Sequence, residues 1–246
     1  MVLPLLFCIL IMTQPHKPTG TQTAILMLED GNVFYGKAFG KIGTTTGEIC
    51  FNTGMTGYQE VFTDPSYTGQ IVIMNNVHTG NYGTFAKDVE SNSVKIKGLI
   101  GRNLEDRFSR YFADKSLQQY LEEQHIVSIE DVDTRALVAH VRTKGAMNCI
   151  ISSDGTSIEE LKAMMKTVPD MGGLELASHV TTEAPYFVGN PDAPKKVSVL
   201  DFGCKRNILQ SMADRGVYAK VFPAKTSAEE VLAFNPDGIF ISNGPG

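Results

Sequence analysis

Cysteine and histidine are scarce in this sequence, and neither residue type is clustered. The four cysteines include no CxxC pair, and the five histidines form no HxxxH or HExxH motif. Structural zinc sites need such close spacing, and dense disulfide frameworks need many cysteines in a short chain. We therefore predict no metal site, and we expect reduced thiols, as in a cytoplasmic protein.

Excess positive charge and phosphate-binding loops are missing as well. The chain has 22 Lys and Arg against 27 Asp and Glu, which gives a formal net charge of -5. Nucleic-acid-binding proteins usually carry a basic face, so we predict no nucleic-acid partner. Neither GxGxxG nor GxxxxGK[ST] occurs, so the sequence does not indicate nucleotide binding.

No hydrophobic run is long enough to cross a membrane. The apolar run at residues 2–12 has eleven residues, whereas a transmembrane helix needs about 20. A signal peptide would carry basic residues before this run, but the first lysine is Lys17. We expect residues 1–22 to be a disordered extension or the product of a misplaced start codon, and we expect no membrane association.

Regular patterning begins at residue 23. The segment AILMLEDGNVFYG predicts a β-hairpin that turns at Asp30-Gly31. The runs GEICFN, QIVIMNNV, VKIKGLI and MNCIIS predict further strands. Ser116, Asp133 and Ser157 are typical helix N-caps, and Ser157 belongs to a capping box. Residues 23–182 are therefore predicted to form one mixed β/α domain with much of its sheet antiparallel.

A second pattern follows a proline-rich segment. Residues 183–196 contain three prolines and no apolar periodicity, which is typical of a linker. Residues 197–246 then predict a β-α-β-α-β unit, with Thr226 capping the second helix, as in a doubly wound parallel sheet. Such sheets need helices on both faces. We therefore expect this α/β domain to be incomplete and more polypeptide to follow Gly246.

The loop Asn243-Gly244-Pro245-Gly246 follows the third predicted strand of this unit. Ligands of open α/β sheets bind beyond the carboxyl ends of the strands. Glycines let the backbone approach a ligand closely, and the free amides of such a loop can stabilise an oxyanion. From these four residues alone, an ordinary strand-to-helix turn is the favoured interpretation.

Cys204 and Ser66 are the other candidate site residues. Cys204 precedes a predicted helix beside Lys205 and Arg206, a position that can activate a thiolate. A nucleophilic cysteine also needs a base, and no histidine follows His179. We therefore expect Cys204 to be a turn residue. Ser66 follows an Asp-Pro turn, where the residues alone favour hydrogen bonds to the local backbone.

Several motifs together resemble one family. They are FNTGMTGYQEVFTDPSYTGQIV, HTGNYG, DVDTRALVAHVRTKGAMN, DFGCKRNIL and NPDGIFISNGPG. In this order they resemble the small, glutamine-hydrolysing subunit of carbamoyl phosphate synthetase, from about residue 24 to Gly246. The motif at residues 51–72 makes the resemblance specific, since NGPG alone would indicate only class I glutamine amidotransferases.

The resemblance implies a function and a set of site residues. The family hydrolyses L-glutamine with a Cys-His-Glu triad and passes ammonia to a large subunit, which would bind the ATP and Mg²⁺. Ser66, Gly244 and Gly246 match residues that contact glutamine, Gly244 as an oxyanion donor. The triad would lie beyond Gly246, so this chain is expected to contain no catalytic residue and to be inactive alone.

Two alternatives belong to other functional classes. The chain could be a non-catalytic module that docks on a large partner, and the sequence that follows Gly246 would distinguish this from the enzyme. It could also be a flavodoxin-like protein that binds a nucleotide or flavin. The absent phosphate-binding loop disfavours that second alternative.

Overall fold

A computed structural model describes residues 22–245. Most of the predicted N-terminal extension and the candidate site residue Gly246 therefore lie outside the described residues. None of the helices between residues 22 and 245 is long and apolar enough to cross a membrane.

Seven strands close into a barrel in the order β1-β2-β6-β5-β4-β3-β7. They are β1 (Thr23–Leu28), β2 (Val33–Gly40), β3 (Thr44–Asn52), β4 (Gln70–Met74), β5 (Gly98–Ile100), β6 (Val127–Glu130) and β7 (Asn148–Ser152). Four of the seven pairings are antiparallel and three, β3–β4, β4–β5 and β5–β6, are parallel. The predicted mixed sheet is confirmed, but its closure was not predicted.

The helices are α1 (Tyr58–Thr63), α2 (Leu117–Glu123), α3 (Thr134–Lys144), α4 (Ile158–Met165), α5 (Ala177–Val180), α6 (Arg206–Ala213) and α7 (Ala228–Ala233). Ser116 and Ser157 each form a complete capping box, and Asp133 accepts a hydrogen bond from the Ala136 amide. These three predicted caps are confirmed. The predicted cap of α7 is wrong by one residue, because Ser227 and not Thr226 accepts the helix amide.

The strand predicted at VKIKGLI is shorter than its alternating pattern. Only Gly98–Ile100 joins the barrel as β5. The Lys95 amide donates to the carbonyl of Phe62 at the end of α1, and Ile96 packs in the cluster that includes Tyr58 and Phe62. The alternation therefore reflects packing against α1 and not pairing in the sheet.

A second sheet has the order β11-β9-β10-β8. It consists of β8 (Tyr186–Val188), β9 (Lys195–Asp201), β10 (Val217–Pro223) and β11 (Gly238–Ile241). The strands β9, β10 and β11 are parallel, as the β-α-β-α-β pattern predicted. The segment predicted as a linker contributes β8, which pairs antiparallel with β10. Its residues alternate too briefly to predict a strand.

The two helices of this unit lie on opposite faces of the second sheet. Leu209 of α6 packs with Val199 and Val221, whereas the carbonyl of Val231 in α7 accepts a hydrogen bond from the Ser198 hydroxyl. On the α7 face, Ile239 and Ile241 of β11 remain 53% and 66% exposed. Burying such a side chain contributes about 1.5–3 kcal/mol, so this face lacks much of the stabilisation of a covered sheet.

We expect the amides of β9, β10 and β11 to exchange with solvent faster than those of the barrel strands. The reason is the incomplete apolar cover of the second sheet, since local opening depends on the apolar surface that it exposes. Hydrogen exchange followed by NMR or mass spectrometry measures both sheets in one sample. Equal protection of the two sheets would contradict the expectation.

The ionisation of Asp154 makes the stability of the fold depend on pH. Its carboxylate accepts hydrogen bonds from the hydroxyls of Thr156, Ser152 and Thr44. These bonds, led by the one from Thr156, lower the pKa of Asp154 to about 2. An unfolded aspartate has a pKa of about 3.9. The carboxylate therefore stabilises the fold above about pH 4, and this contribution is lost as the pH falls towards 2.

We expect Asp154→Asn to reduce the change in unfolding free energy between about pH 4 and pH 2. Urea unfolding of both proteins across that interval measures the difference. Asp106→Asn is the control, because Asp106 is exposed. Parallel stability curves for wild type and Asp154→Asn would show that Asp154 makes no such contribution.

Candidate functional site

Ser66 lies in a short turn that begins the candidate site. Residues Pro65–Tyr67 form one turn of 3-10 helix, and the Asp64 carboxylate caps it by accepting a hydrogen bond from the Ser66 amide at 2.9 Å. Proline at the first position suits such a cap, because its ring presets φ. The Asp64 side chain thus makes the local bond expected for this turn, and the Ser66 hydroxyl is left to face another loop.

That other loop follows β11 at the carboxyl end of the parallel strands. The Asn243 side-chain amide donates a hydrogen bond to the Ser66 hydroxyl at 3.2 Å, across 177 residues of sequence. In the described part of the chain the amides of Asn243 and Gly244 donate no backbone hydrogen bond. Within the described residues both amides are therefore left without a backbone acceptor, in a loop that contacts Ser66 through the Asn243 side chain.

Gly244 is fixed by a close approach to the neighbouring strand end. A Cβ atom added at Gly244 would overlap the carbonyl oxygen of Phe202 and would lie 2.9 Å from its carbonyl carbon. The Phe202 amide in turn donates to the Ser242 hydroxyl at 2.9 Å. The loops after β9 and β11 are thus packed backbone to backbone, which only glycine allows at this position.

The turn after β9 is organised by the buried carboxylate of Asp201. It accepts hydrogen bonds from the amides of Gly203 at 2.9 Å, Cys204 at 2.7 Å and Thr182 at 2.8 Å. Gly203 has φ +113°, and a Cβ there would lie 3.0 Å from Pro65 and 3.2 Å from Pro245. Gly203 therefore lets the two loops that carry Ser66 and Gly244 meet.

An ion pair links the same turn to the Ser66 loop. The Lys205 ammonium lies 2.6 Å from Asp64 Oδ2, and the Asp64 side chain is 7% exposed. Burial opposes the charge of Lys205, but its hydrogen bond and Coulomb attraction to Asp64, with Glu90 and Tyr67 adding to them, raise the pKa of Lys205. Asp64 thus uses one oxygen to shape the Ser66 turn and the other to hold Lys205.

A cleft of about 710 Å³ adjoins this arrangement. Pro65, Lys95, His179, Asp201 and Cys204 are among the residues that line it, but Ser66 is not. It therefore extends the site on the side of Cys204.

Cys204 is not activated in this cleft. Burial, with smaller contributions from Asp201 and Glu90, raises the pKa of its thiol to about 12. The structure does bring His179 to the same cleft, which the sequence argument missed. Between residues 22 and 245, however, the only hydrogen bond of the thiol is to the Lys205 carbonyl, at 3.6 Å. A nucleophile needs its base within hydrogen-bond reach, and this pair lacks that contact.

The structure thus brings together Ser66 and the loop that contains Gly244. Gly246 lies outside the described residues. Sequence reasoning missed the side chains that join the loops, namely Asn243, Asp64 and Lys205. Asp64 had a local signal in its Asp-Pro turn, whereas Asn243 and Lys205 find their partners across more than a hundred residues of sequence.

Two family models match the chain. The model of the carbamoyl-phosphate synthase small chain, CPSase domain, matches residues 26–151, and the class-I glutamine amidotransferase model matches residues 198–246. The first match covers most of the barrel and more than half of the chain. The chain belongs to the carbamoyl phosphate synthase small-chain family. The predicted resemblance is confirmed, and the match decides against the flavodoxin-like alternative.

Curated relatives in this family are similar over most of the chain. The carbamoyl phosphate synthase small chain of Chlorobaculum tepidum is 47% identical over 223 residues, and that of Synechococcus sp. is 48% identical over 237 residues. The Vibrio vulnificus small chain is 46% identical over 244 residues. The alignments cover 91%, 92% and 92% of this chain but 61%, 61% and 64% of those relatives. The chain therefore spans less than two thirds of the length of its relatives.

Proposed function

We propose that this chain is the barrel and the first part of the amidotransferase domain of a carbamoyl phosphate synthase small subunit. The complete subunit would hydrolyse L-glutamine and deliver ammonia to a large subunit, which would use ATP, Mg²⁺ and bicarbonate to make carbamoyl phosphate. Arginine and pyrimidine synthesis would consume that product. The free thiols of Cys50, Cys149 and Cys204 are consistent with a cytoplasmic location.

The contact between the Ser66 hydroxyl and the Asn243–Gly244 loop supports the assignment of the glutamine site. The hydroxyl can hydrogen-bond a polar group of the substrate. The Gly244 amide, which donates no backbone hydrogen bond within residues 22–245, would stabilise the oxyanion that forms at the glutamine carbonyl. The catalytic cysteine, histidine and glutamate would come from sequence that this chain does not contain. Ser66, Gly244 and Gly246 would bind the substrate.

A chimera tests this proposal. Residues 1–246 are joined in register to the carboxyl-terminal remainder of the amidotransferase domain of the Chlorobaculum tepidum small chain. We expect the chimera to release ammonia from L-glutamine, and we expect Ser66→Ala to raise KM roughly three- to tenfold, the effect of losing one hydrogen bond. A coupled assay of ammonia with varied glutamine measures both constants.

Ser109→Ala is the matched control, because Ser109 lies on an exposed loop. A folded chimera with no glutaminase activity would contradict the proposed enzyme and would favour the non-catalytic docking module. An active chimera with the same KM after Ser66→Ala would keep the enzyme but remove Ser66 from the glutamine site.

A further inference from the structure

The helix α6 begins without a cap from its own sequence. Its N-cap residue, Lys205, makes no capping hydrogen bond with its side chain, and lysine has no acceptor atom there. Uncapped helix amides must find other acceptors. The turn after β9 leads directly into α6. Contacts that fix the first residues of α6 therefore also fix this turn.

Glu90, 116 residues earlier in the chain, supplies the missing acceptors. Its main-chain carbonyl accepts a hydrogen bond from the Arg206 amide at 2.8 Å. Its carboxylate accepts one from the Asn207 amide at 2.9 Å. The Asn92 side chain also accepts a bond from the Arg206 guanidinium at 2.9 Å. A carboxylate at this end of a helix is also favoured by the helix dipole.

Glu90 is in turn fixed to the segment that carries Ser66. Its amide donates to the hydroxyl oxygen of Thr63 at 2.9 Å, and the next residue, Ser91, donates its hydroxyl to the Thr63 carbonyl at 2.6 Å. Thr63 is 1% exposed and directly precedes Asp64. Glu90 is therefore hydrogen-bonded to the residue that directly precedes the turn with Ser66.

These bonds and the contacts of the candidate site connect the segment that carries Ser66 to the start of α6 in two ways. One side runs from Thr63 through Glu90 to the start of α6. The other side runs from Asp64 through the ammonium of Lys205, the residue before α6. The turn after β9, which precedes α6, also brings the Phe202 carbonyl close to Gly244. Two attachments, one at Lys205 and one at Arg206 and Asn207, thus set the position of the Asn243–Gly244 loop relative to Ser66.

We propose that Glu90 is a positioning residue of the glutamine site: from the loop between β4 and β5 it caps α6 and thereby aligns Ser66 with the Asn243–Gly244 loop. The assignment of glutamine as the ligand rests on the proposed function, but the alignment itself does not. It belongs to the 246-residue chain and can be measured without any substrate.

NMR on the 246-residue protein tests the proposal with the variants Glu90→Ala and Glu90→Gln. Alanine removes the acceptor of the Asn207 amide, so we expect that amide to exchange roughly tenfold faster. We also expect the resonances of the Ser66 amide and the Asn243 side-chain amide to shift, and the nuclear Overhauser contacts between these residues to weaken. Glutamine keeps an acceptor oxygen, so Glu90→Gln is expected to restore the wild-type resonances at Ser66 and Asn243.

Glu183→Ala is the control, since Glu183, like Glu90, lines the cleft of about 710 Å³ and is exposed. Faster exchange of Asn207 with unchanged Ser66 and Asn243 would make Glu90 a local cap only and would overturn the proposal. Wild-type exchange at Asn207 would overturn it too. If Glu90→Ala does not fold, the Glu90→Gln variant decides. Shifted resonances at Ser66 and Asn243 with wild-type exchange of the Asn207 amide would contradict the proposal. Wild-type behaviour of Ser66, Asn243 and Asn207 would support it. These readouts involve no glutamine, so their failure is separate from failure of the proposed function.

Discussion

Replacing Gly244 with alanine is expected to lower the free energy of unfolding of the second sheet by about 1–3 kcal/mol, the usual cost of forcing extra volume into a packed site. The added methyl group would overlap the Phe202 carbonyl oxygen. Because the obstacle is backbone and not the end of a flexible side chain, relief requires the loops after β9 and β11 to separate.

The same separation is expected to reach the candidate site. Moving the loop after β11 draws the Asn243 side chain away from the Ser66 hydroxyl, which it contacts at 3.2 Å. In the active chimera we therefore expect Gly244→Ala to lower kcat/KM more than Ser66→Ala does, since it displaces the loop and the Gly244 amide together. Urea unfolding of the 246-residue protein and glutamine kinetics of the chimera measure the two effects.

Gly238→Ala is the matched control for Gly244→Ala. Gly238 lies in β11, its φ is not positive, and an added Cβ would meet no atom within 4 Å. This variant should keep the stability and the kinetics of the parent. Equal behaviour of the two alanine variants would show that the close approach of Gly244 to Phe202 has no energetic consequence.

The elements that were predicted from the sequence are those fixed by local chemistry. The caps at Ser116, Asp133 and Ser157 depend on hydrogen bonds that span three residues, so a short window of sequence contains the whole signal. The hairpin at Asp30-Gly31 is equally local, because two residues set the turn and the strands follow. Parallel pairing of β9, β10 and β11 followed from the alternation of strands and helices.

Closure of the barrel depends on contacts that no window of sequence contains. It needs β1 to pair with β7, with Ile25 beside Ser152 and Leu28 beside Cys149, across more than a hundred residues. The strand patterns state which residues are apolar but not which strand lies beside which. The mixed sheet could therefore be predicted, whereas its closed order could not.

The candidate site also has one part that could be predicted from the sequence and one part that could not. The NGPG loop could be placed at the carboxyl end of a parallel strand, because that position follows from the topology rule. Its partner could not be identified from the residues alone, since Ser66 and Asn243 are 177 positions apart. The resemblance to the family assigned Ser66 and Gly244 to one site in advance, but it did not indicate the contact with Asn243. The structure adds the joining contacts of Asp64 with Lys205 and of Glu90 with Asn207.

The 246-residue protein is expected to release no ammonia from L-glutamine. The one thiol in the candidate cleft, Cys204, has a pKa of about 12 because of burial. At pH 8 roughly one molecule in ten thousand would then carry the thiolate that attacks a carboxamide. Since His179 makes no hydrogen bond to the thiol among the described residues, no base compensates for this small fraction.

The measurement is a coupled ammonia assay on the purified protein, with Cys204→Ser beside it. Cys204→Ser introduced into the active chimera is expected to leave kcat unchanged, because the nucleophile there would come from the added sequence. Turnover by the 246-residue protein that disappears on Cys204→Ser would overturn this expectation. It would make Cys204 the nucleophile, His179 its candidate base, and the cleft of about 710 Å³ the place where glutamine is hydrolysed.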